Sequence, residues 1–360
     1  VAAVGEPVEG AASLASASAV ADSATPEPGA QPLILRGTTF APARLCAPMA
    51  GLTHSAFRRL VADFGGHGAL FTEMICGRWL LREDATRSPA LKRRPEEGRV
   101  IYQLMLTAPE EVAPAVERLA ACRPDGLDLN CACPAPKIRQ RGAGSELFAD
   151  RPRLEAILRA LRREWPGVLS VKIRLGRPEP NWRETLLDRL QLFADCGVDA
   201  VTLHPRFADE KLKRRARHEV FPELVARVRV PLIASGDLHG PEAVRRQAGA
   251  LAGVAGVMVG RLAVVQPWIF RTWQEPEFLP EPLEVWMRFV RYVREDFPEP
   301  KAFLQARAFV GYFARNFRFG HRLYTLAQGA RDWPELAGRV GEFLEHRPER
   351  LHEPDLSGLA

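Results

Sequence analysis

The chain has 360 residues, 46% of them hydrophobic, with 50 Lys and Arg against 44 Asp and Glu for a formal net charge of +6. That length exceeds one average domain and has room for an α/β barrel of about 250 residues plus a smaller unit. The apolar content supports a large core, no apolar run reaches the ~18 residues of a membrane span, and the charge is dilute enough that its distribution matters more than its sum.

Residues 1–30, "VAAVGEPVEGAASLASASAVADSATPEPGA", are rich in Ala, Ser, Pro and Gly. They lack the basic start and leucine-rich stretch of a signal peptide, and they read as a disordered N-terminal extension. Cysteines stand at 46, 76, 122, 131, 133 and 196. Scattered in a long chain without an export signal, they are expected to be reduced thiols of a cytoplasmic protein.

From residue 44 short β-type runs alternate with helical ones. The expected strands are 44–51, 69–76, 99–106, 126–133, 169–176, 199–206, 230–237 and 255–262, several with wholly apolar interiors as in a parallel sheet buried on both faces. Amphipathic segments such as "SAFRRLVADFG" and "RPRLEAILRALRREWPG" lie between them. The alternation predicts a closed (β/α)₈ barrel over 31–275. An open doubly wound sheet is the alternative, although no G-x-G-x-x-G follows the first strand. After the proline-rich "EPEFLPEP", helical periodicity runs through 283–346, so a small all-helical domain is expected over 281–360.

Barrel enzymes work at the C-terminal ends of their strands. Here those ends carry Met49, Glu73, Gln103, Asn130, Cys133, Lys172, Arg174, His204, Arg206, the Ser235-Gly236-Asp237 run and Gly260-Arg261. Cations from three strands point to an anionic ligand. Glycines after the last two strands suit a phosphate, and a lysine on a barrel strand needs an anion or a reduced ring beside it.

Cys131 and Cys133 flank one alanine in "NCACP". A metal site needs more ligands than C-x-C supplies, and a disulfide across that spacing would be strained. Cys131, like Cys46 and Cys196, reads as a small buried hydrophobe. Cys133 differs, because Pro134 ends the strand and turns the loop over the barrel mouth.

"LDLNCACPAPKIRQRGAGSELF" resembles the D-x-N-x-G-C-P…G-x-G-S/A segment of tRNA-dihydrouridine synthases. "APMAGLTHSAFRRL", "TEM", "YQL", "VKIRLG", "LHPR", "SGDL" and "VGRLAVVQPWIF" follow in that family's order, so the resemblance spans about 44 to 271. It implies a (β/α)₈ TIM barrel followed by a small C-terminal all-helical domain. The implied cofactor is FMN, with NADPH as electron donor and tRNA as substrate. Ala47, Pro48, Met49, Gln103, Lys172 and His204 match residues that contact the flavin. Ser235, Gly236, Asp237, Gly260 and Arg261 match its phosphate-end loops. Cys133 matches the proton-donating cysteine, Asn130 a base-contacting asparagine, and Arg174 a substrate-side arginine. Ala132 replaces the family's usual glycine and Ser235 its usual asparagine, while "PRFADEKLKRRARHEVF" departs from the common pattern after His204.

The chemistry implied is hydride addition at C6 of a uracil ring and proton delivery to C5 by a positioned thiol, once the base has left its stack. Basic residues supply a place for RNA phosphates at 211–218. Arg307, Arg315, Arg318 and Arg322 share one quadrant of a continuous helix, opposite Phe303, Val310, Phe313 and Phe317, with Gly311 and Gly320 as possible breaks. No metal and a monomer are expected. The competing readings are an FMN barrel reducing a free pyrimidine or enone, and a catalytically silent RNA-binding relative.

Overall fold

The computed structural model describes residues 1–2, 26–85, 87–356 and 358–359. Most of the N-terminal extension therefore lies outside the described residues. Residues 26–30 do not continue a disordered segment. They turn against the barrel, where Glu27 accepts a hydrogen bond from Arg245 Nε at 3.2 Å. Gly29 sits so close to Val257 that a side chain there would collide with it.

A hairpin of β1 (Leu33–Leu35) and β2 (Thr38–Phe40), not foreseen from the sequence, precedes the barrel. Eight parallel strands then close on themselves: β3 (Arg44–Cys46), β4 (Ala69–Phe71), β6 (Val100–Met105), β7 (Gly126–Cys131), β8 (Val168–Arg174), β9 (Ala200–His204), β10 (Leu232–Ser235) and β11 (Gly256–Val259). β3 pairs with both β4 and β11, and β4 with β6, which completes the ring; β5 (Ile75–Cys76) adds a short run beside β6. All eight expected strands are present. They end earlier than their apolar runs, because the chain leaves the sheet to build the mouth loops.

Strand parity divides the residues between two cores. Leu45, Phe71, Ile101, Val168, Ala200, Ile233 and Met258 pack inside the barrel, where Leu33, Leu35 and Phe40 of the hairpin join them. Cys46, Leu70, Tyr102, Leu129, Cys131 and Val171 face the surrounding helices. The same parity places Gln103, Asp128 and Ser170 inside, level with one another. Asn130 and Lys172 form the next pair toward the mouth.

The tail consists of helices Pro282–Asp296, Glu299–Phe313, Gly320–Gln328 and Trp333–Glu345, with a short turn at Ala314–Asn316. Here the structure corrects the sequence. Arg307, Arg315, Arg318 and Arg322 do not share one continuous helix, since the chain stops being helical at Phe317 and restarts at Gly320. Gly311 stays within its helix. The break belongs to Gly320, whose Cα sits so close to the Ala314 carbonyl that any side chain would overlap it.

Asp296, the last residue of its helix, joins the tail to the barrel. Its buried carboxylate accepts from Ser55 Oγ at 2.6 Å and from Arg94, and lies 3.6 Å from Lys92 Nζ and 3.7 Å from Arg59. Burial works against its charge, but the bonds from Arg94 and Ser55 prevail and hold the carboxyl below the usual carboxylate range. Replacing Asp296 by Ala leaves three cations facing an empty socket. The expected loss is about 3 kcal/mol of unfolding free energy, as for other broken buried pairs, read as a lower urea midpoint.

Candidate active site

The loops beyond the strand ends enclose a cavity of about 320 Å³ at the C-terminal mouth of the barrel. Of the residues singled out from sequence, Ala47, Pro48, Met49, Lys172, Arg174, His204, Ser235, Gly236, Asp237, Gly260 and Arg261 line it. Arg206 and His239 line it too. Arg206 stood out in the sequence only as a polar strand end, and His239 gave no signal.

Arg206 organises one wall. It donates to both carboxylate oxygens of Asp237, at 2.7 and 2.6 Å, to the Arg214 carbonyl, and to His204 Nε2 at 2.8 Å. A guanidinium can only donate, so Nε2 must carry the lone pair and Nδ1 the proton. Burial, together with the charges of Lys172, Arg174, Arg206 and Arg261, pushes the His204 pKa well below its ordinary value. The imidazole is therefore neutral. The glycine at 236 answers first to this histidine: its φ is +89°, and a Cβ would lie 2.7 Å from His204 Cδ2. Gly260 is different. A Cβ there would meet only Ala47 and Met49 among the described residues, at 3.6 and 3.8 Å, so no clash excludes a side chain.

Asp237 is already committed. Besides Arg206 it accepts from the Ala216 N–H at 2.9 Å and from Arg261 at 3.3 Å. Burial opposes its charge, but the Arg206 bonds outweigh it, so the pKa lies below the usual value. Lys172 has no such partner. It is buried, with no side-chain hydrogen bond or ion pair among the described residues, and burial plus Arg174 brings its pKa down to about 8. Arg174 donates to the carbonyls of Phe207 and Lys211, at 3.2 and 2.8 Å, and burial and Arg206 lower its pKa to about 10. The wall is short of negative charge.

Gln103 and Asn130 are not on the lining of this cavity: Gln103 lies one layer below Lys172, and Asn130 is level with it. Gln103 donates to Asp128 at 2.7 Å and accepts from Asn130 at 2.8 Å. Asn130 Oδ1 accepts the backbone N–H groups of Ala132 and Cys133, at 3.2 and 3.0 Å. A contact between this oxygen and a base would compete with the loop it already holds. From the other side the Cys133 carbonyl accepts from Ser145 N at 3.1 Å, and Gly144 fits against Cys133 with no room for a side chain. This explains the "GAGS" run after the cysteines. Cys133 is partly exposed and lies within electrostatic reach of both Lys172 and Arg174. Cys131 is fully buried on the helix-facing side of β7, where burial raises its thiol pKa well above the ordinary value.

A larger cavity of about 790 Å³ lies in the tail, lined by Arg307, Arg315, Arg318 and His321 among others. Folding thus gathers three of the four tail arginines by a route other than one helix face. They are engaged, however: Arg307 with Gln328, Arg315 with Asp355 at 3.6 Å and Arg318 with Glu349 at 2.8 Å. The loop after β9 carries Lys211, Lys213, Arg214 and Arg215 exposed, with no side-chain ion pair among the described residues.

Comparison with known proteins identifies the family. Residues 45–335 match the dihydrouridine synthase (Dus) family. A protein of Aquifex aeolicus named "Probable tRNA-dihydrouridine synthase" is 30% identical over 310 residues, covering 84% of this chain and 96% of that protein. A "tRNA-dihydrouridine synthase B" of Shigella flexneri is 31% identical over 279 residues, covering 75% and 85%. Among solved structures, an old yellow enzyme homologue from Zymomonas mobilis superposes with a TM-score of 0.52 at 10% identity, covering 72% of this chain and 96% of that one. Morphinone reductase gives a TM-score of 0.52 at 13% identity, covering 72% and 92%; at such identities the likeness is one of barrel fold alone. A match across most of the barrel and tail, with the cysteine loop and the cationic mouth in the positions described, makes this chain a member of the dihydrouridine synthase family.

Proposed function

We propose that the chain reduces the 5,6 double bond of specific uridines in tRNA, with FMN in the barrel mouth and NADPH as electron donor. The observation that carries this reading is Lys172, an ammonium inside the barrel with no ion pair among the described residues, reached only through space by the charge of Asp128, a carboxylate already bonded to Ser170 and Gln103. A buried cation is costly unless an anion or electron-rich ring meets it, and a flavin mononucleotide brings both a ring and a phosphate. Open space beside Gly260 supports the same fit. Ala47, Pro48, Met49, Lys172 and His204 would hold the ring, while Ser235, Gly236, Gly260 and Arg261 would hold the phosphate. When bound, FMN supplies two-electron reducing chemistry that no side chain here can provide.

The chain's own residues bind, orient and protonate. Arg174, anchored through the Phe207 and Lys211 carbonyls, offers donors for the oxygen on which charge builds as a uracil is reduced. Cys133 holds the proton destined for C5. The exposed cations at 211–215 suit phosphates around an extruded base. A reductase of free pyrimidines or enones would leave those cations without a role. Incubating the protein with FMN, NADPH and either tRNA or uridine, followed by mass spectrometry of dihydrouridine, separates the two; product from uridine alone would overturn the tRNA reading.

Flavin affinity should fall as the pH rises above about 8, where Lys172 of the free protein loses its proton. A bound ring that favours the ammonium raises this pKa, so binding takes up a proton above the free-state value and none below it. The slope should reach at most about tenfold per pH unit. It should vanish in Lys172→Met, as read by fluorescence titration from about pH 7 to about pH 10.

Cys133→Ala should retain flavin and its reduction by NADPH, yet lose about 10²–10⁴-fold in single-turnover reduction of tRNA. Cys131→Ala, which removes a thiol on the far side of the strand, should stay within a few-fold of the parent.

Replacing Lys211, Lys213, Arg214 and Arg215 together by Ser should flatten the dependence of tRNA affinity on salt, by roughly one unit for each phosphate no longer neutralised. Arg315→Ala with Arg318→Ala should flatten it less, because those side chains already neutralise Asp355 and Glu349. Binding isotherms across a salt series measure both.

A further inference from the structure

Inside the barrel, one layer below Lys172, a row of polar groups replaces the branched apolar residues that usually fill such layers. The Asp128 carboxylate accepts from Ser170 Oγ at 2.6 Å and from Gln103 Nε2 at 2.7 Å. Gln103 Oε1 then accepts from Asn130 Nδ2 at 2.8 Å. Asn130 Oδ1 accepts from the N–H groups of Ala132 and Cys133. Ser170 and Asp128 are almost wholly shielded, as is Gln103.

We infer that Asp128 is a positioning residue whose oxygen fixes the direction of both amides in this relay and so holds the backbone under Cys133. The two ends of the chain are of fixed kind. A carboxylate oxygen can only accept, and a backbone N–H can only donate. Between them an amide must turn its NH₂ toward the acceptor and its oxygen toward the donors. Asp128 therefore orients Gln103, and Gln103 orients Asn130. If Gln103 turned over, its oxygen would face the Asp128 oxygen and its NH₂ would face Asn130. Asn130 would then have to turn too, setting its own NH₂ against the N–H groups of Ala132 and Cys133. A buried carboxylate without ion pair is costly to keep. Lys172 is near enough for the two charges to act on each other, but it forms no ion pair with this carboxylate, whose oxygens are taken by Ser170 and Gln103. Its burial raises its pKa to about 6, against the bonds from Ser170 and Gln103 and the charge of Lys172.

What matters under this reading is an acceptor at 128, not a charge. Asn at 128 can offer its carbonyl oxygen to Gln103 and its NH₂ to the Ser170 oxygen, so the direction survives. Leu at 128 offers nothing. Deuterium exchange resolved to the peptide containing Ala132 and Cys133 reads the loop directly, without substrate or flavin turnover. Asp128→Leu should speed exchange of those two amides by about tenfold, the scale of one lost hydrogen bond. Amides of β8 should keep their protection, and Asp128→Asn should match the parent. Gln103→Leu cuts the relay at its middle and should speed the same two amides. Alkylation of Cys133 by iodoacetamide, quantified by peptide mass, should change in parallel.

The functional arm rests on the proposed proton-donor role of Cys133. In Asp128→Leu, kcat for tRNA should fall by about 10–100-fold with KM for tRNA and flavin content unchanged, and Asp128→Asn should recover it. Unchanged loop exchange in both Leu variants would overturn the relay, as would loss of loop protection in Asp128→Asn. Failure of both Leu variants to fold would also count against it, since the relay orders a loop and not the barrel. Altered exchange with unaltered kcat would leave the relay standing and remove the role given to Cys133.

Discussion

Everything at the barrel mouth is arranged around a shortage of negative charge. Lys172, Arg174, Arg206 and Arg261 meet there, and the one carboxylate on the cavity wall, Asp237, is shared between Arg206 and Arg261. Burial and the neighbouring cations lower the proton affinity of Lys172, Arg174 and Arg261 and keep His204 neutral. Protein groups relieve part of the strain. Carbonyls of the loop after β9 receive Arg174 and Arg206, and this is why the loop is drawn over the mouth while its own lysines and arginines stay outside. Lys172 is left for a ligand to complete.

A buried excess of one sign is destabilising, so the rest of the molecule has to hold it in place. The apolar plug of Leu33, Leu35 and Phe40 closes the other end of the barrel, and a continuous layer of aliphatic residues separates the strands from their helices. Two buried carboxylates elsewhere are matched. Arg58 and Glu97, both fully buried, are 2.6 Å apart, and Asp296 is surrounded by cations from the barrel side. At the mouth the balance differs: Arg174 is met only by carbonyls, and Lys172 makes no ion pair among the described residues.

The fold was legible because its signals are periodic. Parity along "LDLNC" and "SVKIR" already places Asp128, Asn130, Ser170 and Lys172 on one side and Cys131 on the other. What parity does not give is depth. Gln103 and Asn130 have the inward parity of a cavity residue, yet do not line it, because their amides are bonded to Asp128, to each other and to the loop under Cys133. Asp128 is the first residue of the D-x-N run, but the sequence gives it no role until its partners on β6 and β8 are known. The tail arginines mislead for another reason. Their common face requires a helix running through 317–320, and the approach of Gly320 to Ala314, a tertiary contact, ends it. Arg206 was visible in "LHPR", but its four bonds join groups separated by up to 31 residues and leave no local trace.

The helix Arg261–Val265 starts at the cavity and ends under the tail. Its last carbonyl, of Val265, accepts from Asn316 Nδ2 at 2.6 Å, and Arg261 at its start reaches the Leu356 carbonyl at 3.4 Å. A five-residue helix is therefore gripped at both ends by the C-terminal unit while its first residue forms part of the cavity wall. The two units are consequently not interchangeable modules. A tail grafted from a relative would have to bring an amide at 316 and a carbonyl at 356 in register with this helix. Otherwise the chimaera would alter the cavity even if every barrel residue were kept. Divergence in this architecture is thus constrained to move both halves together, and the identity of the C-terminal unit becomes coupled, through one short helix, to the cavity at the barrel mouth.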